Sequence, residues 1–145
     1  MMDQRISSIL LSDFAGNEID LLRVYNGRPL LLLIYNNQCL GCTGRAVPLA
    51  YRLSKEFTGV EVVGVHTNFS GEPVTERDIM SIFTIEALPF SIYLDNEQKV
   101  YRQFASEGTP QWVLITAEQT VYRSIFGSQG NAENRLYYAL EQVRS

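Results

Sequence analysis

The chain has 145 residues, 46% of them apolar, and a formal net charge of −4. That length gives one domain with room for a buried core, and that composition excludes a disordered chain. The 12 basic residues are scattered, with no stripe to follow a nucleic acid, and no apolar run approaches the roughly 18 residues of a membrane helix. The opening "MMDQRISSILLSDF" has no small-residue cleavage site. The expected location is cytoplasmic, or periplasmic if a leader has been removed. Two cysteines are too few for a disulfide scaffold.

In chain order the first element is a hairpin over "DFAGNEIDL" (13–21), with a Gly-Asn turn between short apolar stretches. "RPLLLLIYN" (28–36) is a continuous apolar run, as expected of a strand covered on both faces. Residues 46–57 place Ala46, Val47, Leu49, Ala50, Leu53 and Phe57 at helical spacing. "VEVVGV" (60–65) is a second buried strand. "VTERDIMSIF" (74–83) predicts a helix with Thr75 as N-cap and Ile79, Met80, Ile82 and Phe83 inward. "PFSIYL" (89–94) is a short strand, and "NEQKVYRQF" (96–104) a helical turn or two. "QWVLIT" (111–116) and "TVYRSIF" (120–126) flank a three-residue turn and are therefore antiparallel. Asn131 opens a last helix with Leu136, Leu140 and Val143 on one face. The order is that of an α/β sandwich on a mixed sheet, one domain over 1–145, with an N-terminal β-hairpin.

The two cysteines, Cys39 and Cys42, lie in "IYNNQCLGCTGR", where the first long strand ends and a helix begins. Sites form at this end of the strands in open α/β sheets. A thiol at a helix start faces unpaired N–H groups and the positive end of the helix dipole, which favour thiolate. With a pKa of about 8.5, roughly 3% of a thiol is ionised at pH 7; lowered to about 7, half is. Cys39 is then the exposed nucleophile, and Cys42, one turn in, is near enough to close a disulfide and displace a bound partner. Two other readings stand beside this one. Incidental core thiols are possible at any such site. A zinc half-site would need four ligands, and the chain has two Cys and one His.

"NQCLGCTGR" after "LLLLIYN", followed downstream by "GTPQWVLIT", resembles the thioredoxin superfamily. More narrowly it is similar to the thiol–disulfide oxidoreductase branch related to cytochrome c maturation and to the alkyl hydroperoxide reductase/thiol-specific antioxidant proteins. "FAGNEIDL…NGRPLLLL" resembles that branch's N-terminal hairpin and first core strand, "VEVVGVHTNF" its next strand, and "LPFSIYLD" its inserted segment. The resemblance implies a thioredoxin-like three-layer sandwich, a central mixed β-sheet flanked by helices. It also implies a cis proline at Pro110, lying against the cysteine pair. Substrate would then meet Thr109, Pro110, Gln38, Leu40 and Gly41. The implied activity is reduction or exchange of disulfides in partner proteins through a reversible Cys39–Cys42 disulfide, a role in redox homeostasis. An upstream reductant is implied as second partner, and no cofactor or metal. Nucleic acid and membrane are not expected partners.

Three departures from the family pattern stand out. Gln38 occupies the place of a tryptophan before the first cysteine. The helix proline, Pro48, comes six residues after Cys42 instead of five, so a kink or an extra-residue bulge near Gly44 is expected. The buried acid of many relatives is missing: Leu33 and Arg45 stand at its two usual places. Glu72, Glu76 and Glu107 lie in segments expected to be exposed, so His66, the one histidine, is the expected proton-transfer partner of the pair. Its bland alternative is a hydrogen-bonded structural residue, and Tyr35, Phe90 and Trp112 are expected core aromatics. Two other functions compete. A thiol peroxidase of the antioxidant branch would carry a threonine three residues before the reactive cysteine, where Asn36 stands. A binding module that kept the fold and lost the chemistry is the other.

Overall fold

The computed structural model describes residues 4–83 and 88–143. Strands β1 (Leu10–Ser12) and β2 (Glu18–Asp20) form the hairpin, and a short helix α1 (Leu21–Val24) follows. Then come β3 (Leu30–Tyr35), α2 (Val47–Glu56), β4 (Glu61–Thr67), α3 (Glu76–Met80), β5 (Ser91–Asp95), α4 (Lys99–Gln103), β6 (Gln111–Ile115), β7 (Val121–Phe126) and α5 (Ala132–Val143). Among the described residues the strands make one mixed sheet in the order β2-β1-β5-β4-β3-β6-β7. Strands β3, β4 and β5 run parallel, while β6 is antiparallel to β3 and β7 to β6.

Side chains alternate across a strand, so β3 feeds two cores. Leu31, Leu33 and Tyr35 pack with Leu49, Ala50 and Leu53 of α2 and with Leu136 and Leu140 of α5. Leu30, Leu32 and Ile34 pack on the other face with Leu21 and Leu22 of α1 and with Val100 and Phe104 beside α4. Helices thus cover both faces, as the three-layer sandwich requires. Tyr35, Phe90 and Trp112 are core aromatics.

Local chemistry fixes the element ends. The hairpin starts three residues earlier than expected, and Phe14 lies in its turn. The Asp13 carboxylate accepts the N–H groups of Ala15 and Asn17 at 2.9 and 2.8 Å, which places Asp13 at the turn's start. Gly16 supplies the left-handed residue that the turn needs, at φ +89°. Helix α3 is shorter than the 74–83 expected. Thr75 caps it in a reciprocal box with Asp78, and it closes at Ser81, whose hydroxyl donates to the Asp78 carbonyl at 2.7 Å. Ile79 is buried, whereas Met80, Ile82 and Phe83 are half-buried. Asp95 is a buried carboxylate at the end of β5. It accepts from the N–H groups of Val100 and Tyr101, which open α4, and from the Thr67 hydroxyl. No described helix is long and apolar enough to cross a membrane.

Gly64 in β4 leaves the space that the aromatic layer fills. A Cβ there would sit 2.9 Å from Phe90, 3.0 Å from Ile92 and 3.4 Å from Tyr35. Gly64→Ala is therefore expected to destabilise the fold by about 1–3 kcal/mol. At Gly44, by contrast, a Cβ would meet nothing within 4 Å, and the backbone is helical. Gly44→Ala should stabilise by about 0.5–1 kcal/mol. Urea midpoints of the two variants check both, and an unchanged midpoint for Gly64→Ala would contradict the packing argument.

Candidate functional site

The site begins where β3 runs out of hydrogen-bonding partners. Asn36 is buried and holds the turn in two directions: its Nδ2 donates to the Thr67 carbonyl at 2.8 Å, and its Oδ1 accepts the Gln38 N–H at 2.8 Å. Asn37 ties the same turn down again. Its backbone N–H donates to His66 Nε2 at 3.2 Å and its Nδ2 to the Asp78 carbonyl at 2.7 Å. The Cys39 N–H then donates to the Asn36 carbonyl at 3.0 Å. Four residues after the strand the chain is aimed into a helix, with Cys39 just before its first residue.

The helix opens with α-geometry at Leu40 and Gly41 and is then interrupted. Cys42–Ala46 form a π-helical turn, closed by the Val47 N–H donating to the Cys42 carbonyl five residues back. This is the extra residue expected near Gly44 from the position of Pro48. Regular α-geometry resumes with Val47, and Pro48, which has no N–H to donate to the preceding turn, stands directly after the π-helical turn.

Both cysteines are free thiols, and their surroundings differ. Cys42 is fully buried, in the cluster with Tyr35, Ala46 and Trp112. Cys39 is half-buried. The Cys42 N–H is shared between the Cys39 carbonyl at 3.1 Å and the Cys39 sulfur at 3.2 Å. The Cys39 thiol in turn donates to the Thr109 carbonyl at 3.4 Å. Partial burial pushes the Cys39 pKa up, but hydrogen bonding from the Cys42 side chain, contact with Thr109 and the N–H groups of Cys42 and Gly41 outweigh it. The net shift is downward from the ordinary thiol value. Burial pushes Cys42 up to about 12, and its hydrogen bond with Cys39 adds to this. Only one of the two sulfurs is prepared to be a thiolate in the dithiol state.

The loop before β6 closes the site from the other side. The Thr109–Pro110 peptide bond is cis. Pro110 Cδ lies 3.9 Å from where a Gly41 Cβ would be, and Ser128 Oγ lies 3.3 Å from it, so a side chain at position 41 would press on both. Ser128 is held there by its neighbour: Gly127 donates its N–H to the Pro110 carbonyl at 2.9 Å and accepts the Trp112 indole N–H at 2.9 Å. Leu40 is 87% exposed and Gln38 is exposed beside it. Thus Gln38, Leu40, Gly41, Thr109 and Pro110 surround Cys39.

His66 is in register with Tyr35 across β3 and β4, and their rings meet edge to face at 5.3 Å. It lies inside β4, which runs on to Thr67 instead of stopping at Val65. Burial lowers its pKa, while its own carbonyl and Asp78 oppose that shift. In a neutral imidazole one nitrogen accepts and the other donates. Nε2 accepts from Asn37, so the proton sits on Nδ1, beside the residue's own carbonyl. The ring's lone pair is therefore occupied in holding the turn, which favours the structural alternative for His66. Asn36 and Asn37 were not singled out as anchors from the sequence. Two asparagines directly after an apolar strand are a turn signal that points to them. Among the described residues no group of three or more His, Cys, Asp or Glu is placed to hold a metal.

Comparison with known proteins agrees with this architecture. A candidate thiol:disulfide interchange protein DsbE from Chlorobium tepidum superposes with a TM-score of 0.82 at 17% identity, covering 100% of this chain and 99% of that one. A secreted Mycobacterium tuberculosis disulfide oxidoreductase homologous to E. coli DsbE gives 0.70 at 16% identity, covering 93% and 96%. The exposed lipoprotein thioredoxin of Streptococcus pneumoniae gives 0.73 at 16% identity, covering 94% and 99%. These likenesses establish the thioredoxin fold. No curated protein matches the chain in sequence. The AhpC/TSA family model matches residues 2–126, from before the hairpin to the end of β7. The chain belongs to the AhpC/TSA family.

Proposed function

We propose that this protein is a thiol–disulfide oxidoreductase that reduces or exchanges disulfides in partner proteins through Cys39 and Cys42. The observation that carries the reading is the unequal treatment of the two sulfurs: one accepts a backbone N–H at 3.2 Å and is partly open, the other is sealed in the core. The Cys39 thiolate attacks one sulfur of a partner's disulfide. A mixed disulfide forms and the partner's other sulfur leaves as a thiolate. Cys42 then gives up its proton and attacks the Cys39 sulfur, which closes the Cys39–Cys42 disulfide and releases the partner's second thiolate. Two electrons pass to the partner, and an upstream dithiol restores the pair by the same exchange in reverse.

Thr109, Pro110, Leu40, Gly41 and Gln38 are the residues that an incoming disulfide segment would touch. The Thr109 carbonyl already faces the Cys39 sulfur, and an extended segment is suited to pair with backbone there. His66 enters as a positioning residue that fixes the turn through Asn37. Asn36 stands where a peroxidase would need a threonine, and both ends of its amide are engaged by the turn. The peroxidase reading is accordingly not adopted.

Two outcomes test this. At pH 7 a limiting alkylating agent should label Cys39 well before Cys42. Its rate should fall as pH is lowered through a pKa below that of an ordinary thiol, because the reactive form is the deprotonated one. Faster labelling of Cys42 would overturn the assignment of roles. In an insulin-reduction assay, Cys39→Ser should abolish turnover. Cys42→Ser should leave attack intact and accumulate mixed disulfides, visible by mass spectrometry of the intact protein. Turnover that survives Cys39→Ser would exclude the mechanism.

A further inference from the structure

Closing the Cys39–Cys42 disulfide obliges Cys42 to become a thiolate while it lies in the core, where desolvation opposes charge. The two places where an acid would serve it hold Leu33 and Arg45, and His66 has its Nε2 engaged by the Asn37 N–H. No carboxylate is among the groups that act most on the Cys42 sulfur. Those groups are the Cys39 sulfur, the Asn36 backbone N–H and the Thr109 side chain.

Strand pairing brings the last two together. Ile34 of β3 stands opposite Gln111 of β6 in antiparallel register. Carried two residues further, that register sets Asn36 opposite Thr109. Thr109 also reaches the outer sulfur. Its carbonyl accepts the Cys39 S–H at 3.4 Å, and its side chain hydrogen-bonds with Cys39 as with Cys42, favouring thiolate at each. One half-buried residue thus offers an acceptor to the Cys39 thiol and a donor to either thiolate. A hydroxyl has a single proton and turns it freely about the C–O bond, so it serves one sulfur at a time.

We propose that Thr109 is a catalytic residue whose hydroxyl donates to the Cys39 thiolate before attack and turns to Cys42 once Cys39 is bound to the partner. With the Asn36 N–H it then stabilises the second thiolate, in a site that has no acid to receive the proton. In that step the Cys42 S–H bond breaks and its proton passes to solvent. The Cys42–Cys39 bond forms, the bond from Cys39 to the partner breaks, and the partner's sulfur leaves with the electron pair as a thiolate. Thr109 keeps its own proton throughout. This rests on the oxidoreductase reading and adds a residue to its second step.

The test uses the full chain and one equivalent of an aromatic disulfide, dithiobis(nitrobenzoic acid), followed by stopped-flow absorbance above the Cys39 pKa. Attack by Cys39 releases one coloured thiolate and closure by Cys42 releases the second, so the two steps appear as two phases. Thr109→Val keeps the β-branched shape and removes the hydroxyl. It should slow the second phase about three- to tenfold, the range that loss of one hydrogen bond allows, and slow it more than the first. Thr109→Ala should do the same, and Thr109→Ser, which restores a hydroxyl, should recover most of the second phase. Two phases slowed alike, an unchanged second phase, or a Ser variant as slow as the Val variant would overturn the role of Thr109 and leave the oxidoreductase reading in place. A second phase missing from the unaltered protein would overturn both.

Discussion

The six side chains of β3 alternate between two cores and all are buried, so this strand has no freedom in register or height. Moving it by one residue would exchange Leu33 and Tyr35 with Leu32 and Ile34 and disturb both layers at once. Its neighbours on either side, β4 and β6, are fixed by continuous pairing from Leu30 to its last residues. The point at which the chain leaves the sheet is therefore fixed as well. Four residues later comes Cys39, and the turn between is held by side-chain amides to β4 and to α3. The Cys39 sulfur is placed by a rigid strand and a braced turn, and not by the loop it belongs to.

The same arrangement makes the two cysteines unlike. Cys39 lies at the mouth of the helix, where the Cys42 N–H is shared between its carbonyl and its sulfur. Cys42 lies one turn further and has reached the core, where charge is penalised by desolvation. The sheet, through β6, brings the Thr109 carbonyl up to the outer sulfur. No acidic side chain is needed to separate the roles, since a difference in depth of one helical turn produces it.

Much of this was legible in the sequence. The buried strands announce themselves as apolar runs bounded by Pro, Gly and Asn, and the cysteine pair falls at a strand-to-helix junction. The register of Pro48 against Cys42 called for an extra residue, and the helix carries it between Cys42 and Ala46. The hairpin lies earlier than the sequence pattern predicts because the Asp13 side chain, whose bonding is not visible in composition, starts the turn. Apolar spacing continues through Phe83 and predicts a longer α3, while the Ser81 hydroxyl ends the helix. His66 is a candidate proton carrier from its residue type alone, since a sequence does not show that its Nε2 accepts from Asn37. Asn36 and Asn37 look like ordinary turn residues until Thr67, His66 and Asp78 are brought near from elsewhere in the chain.

The π-helical turn also bears on how such a chain can vary over descent. A residue added within a regular helix rotates everything after it by about 100° and would turn the apolar face of α2 away from the sheet. Here the added residue is absorbed within five positions, and Leu49, Ala50 and Leu53 still face the core. The stretch between the second cysteine and the helix proline can therefore change length while core and sulfurs keep their places. Homologues compared by counting residues from the cysteines would be matched one position out of phase along all of α2, although their cores superpose.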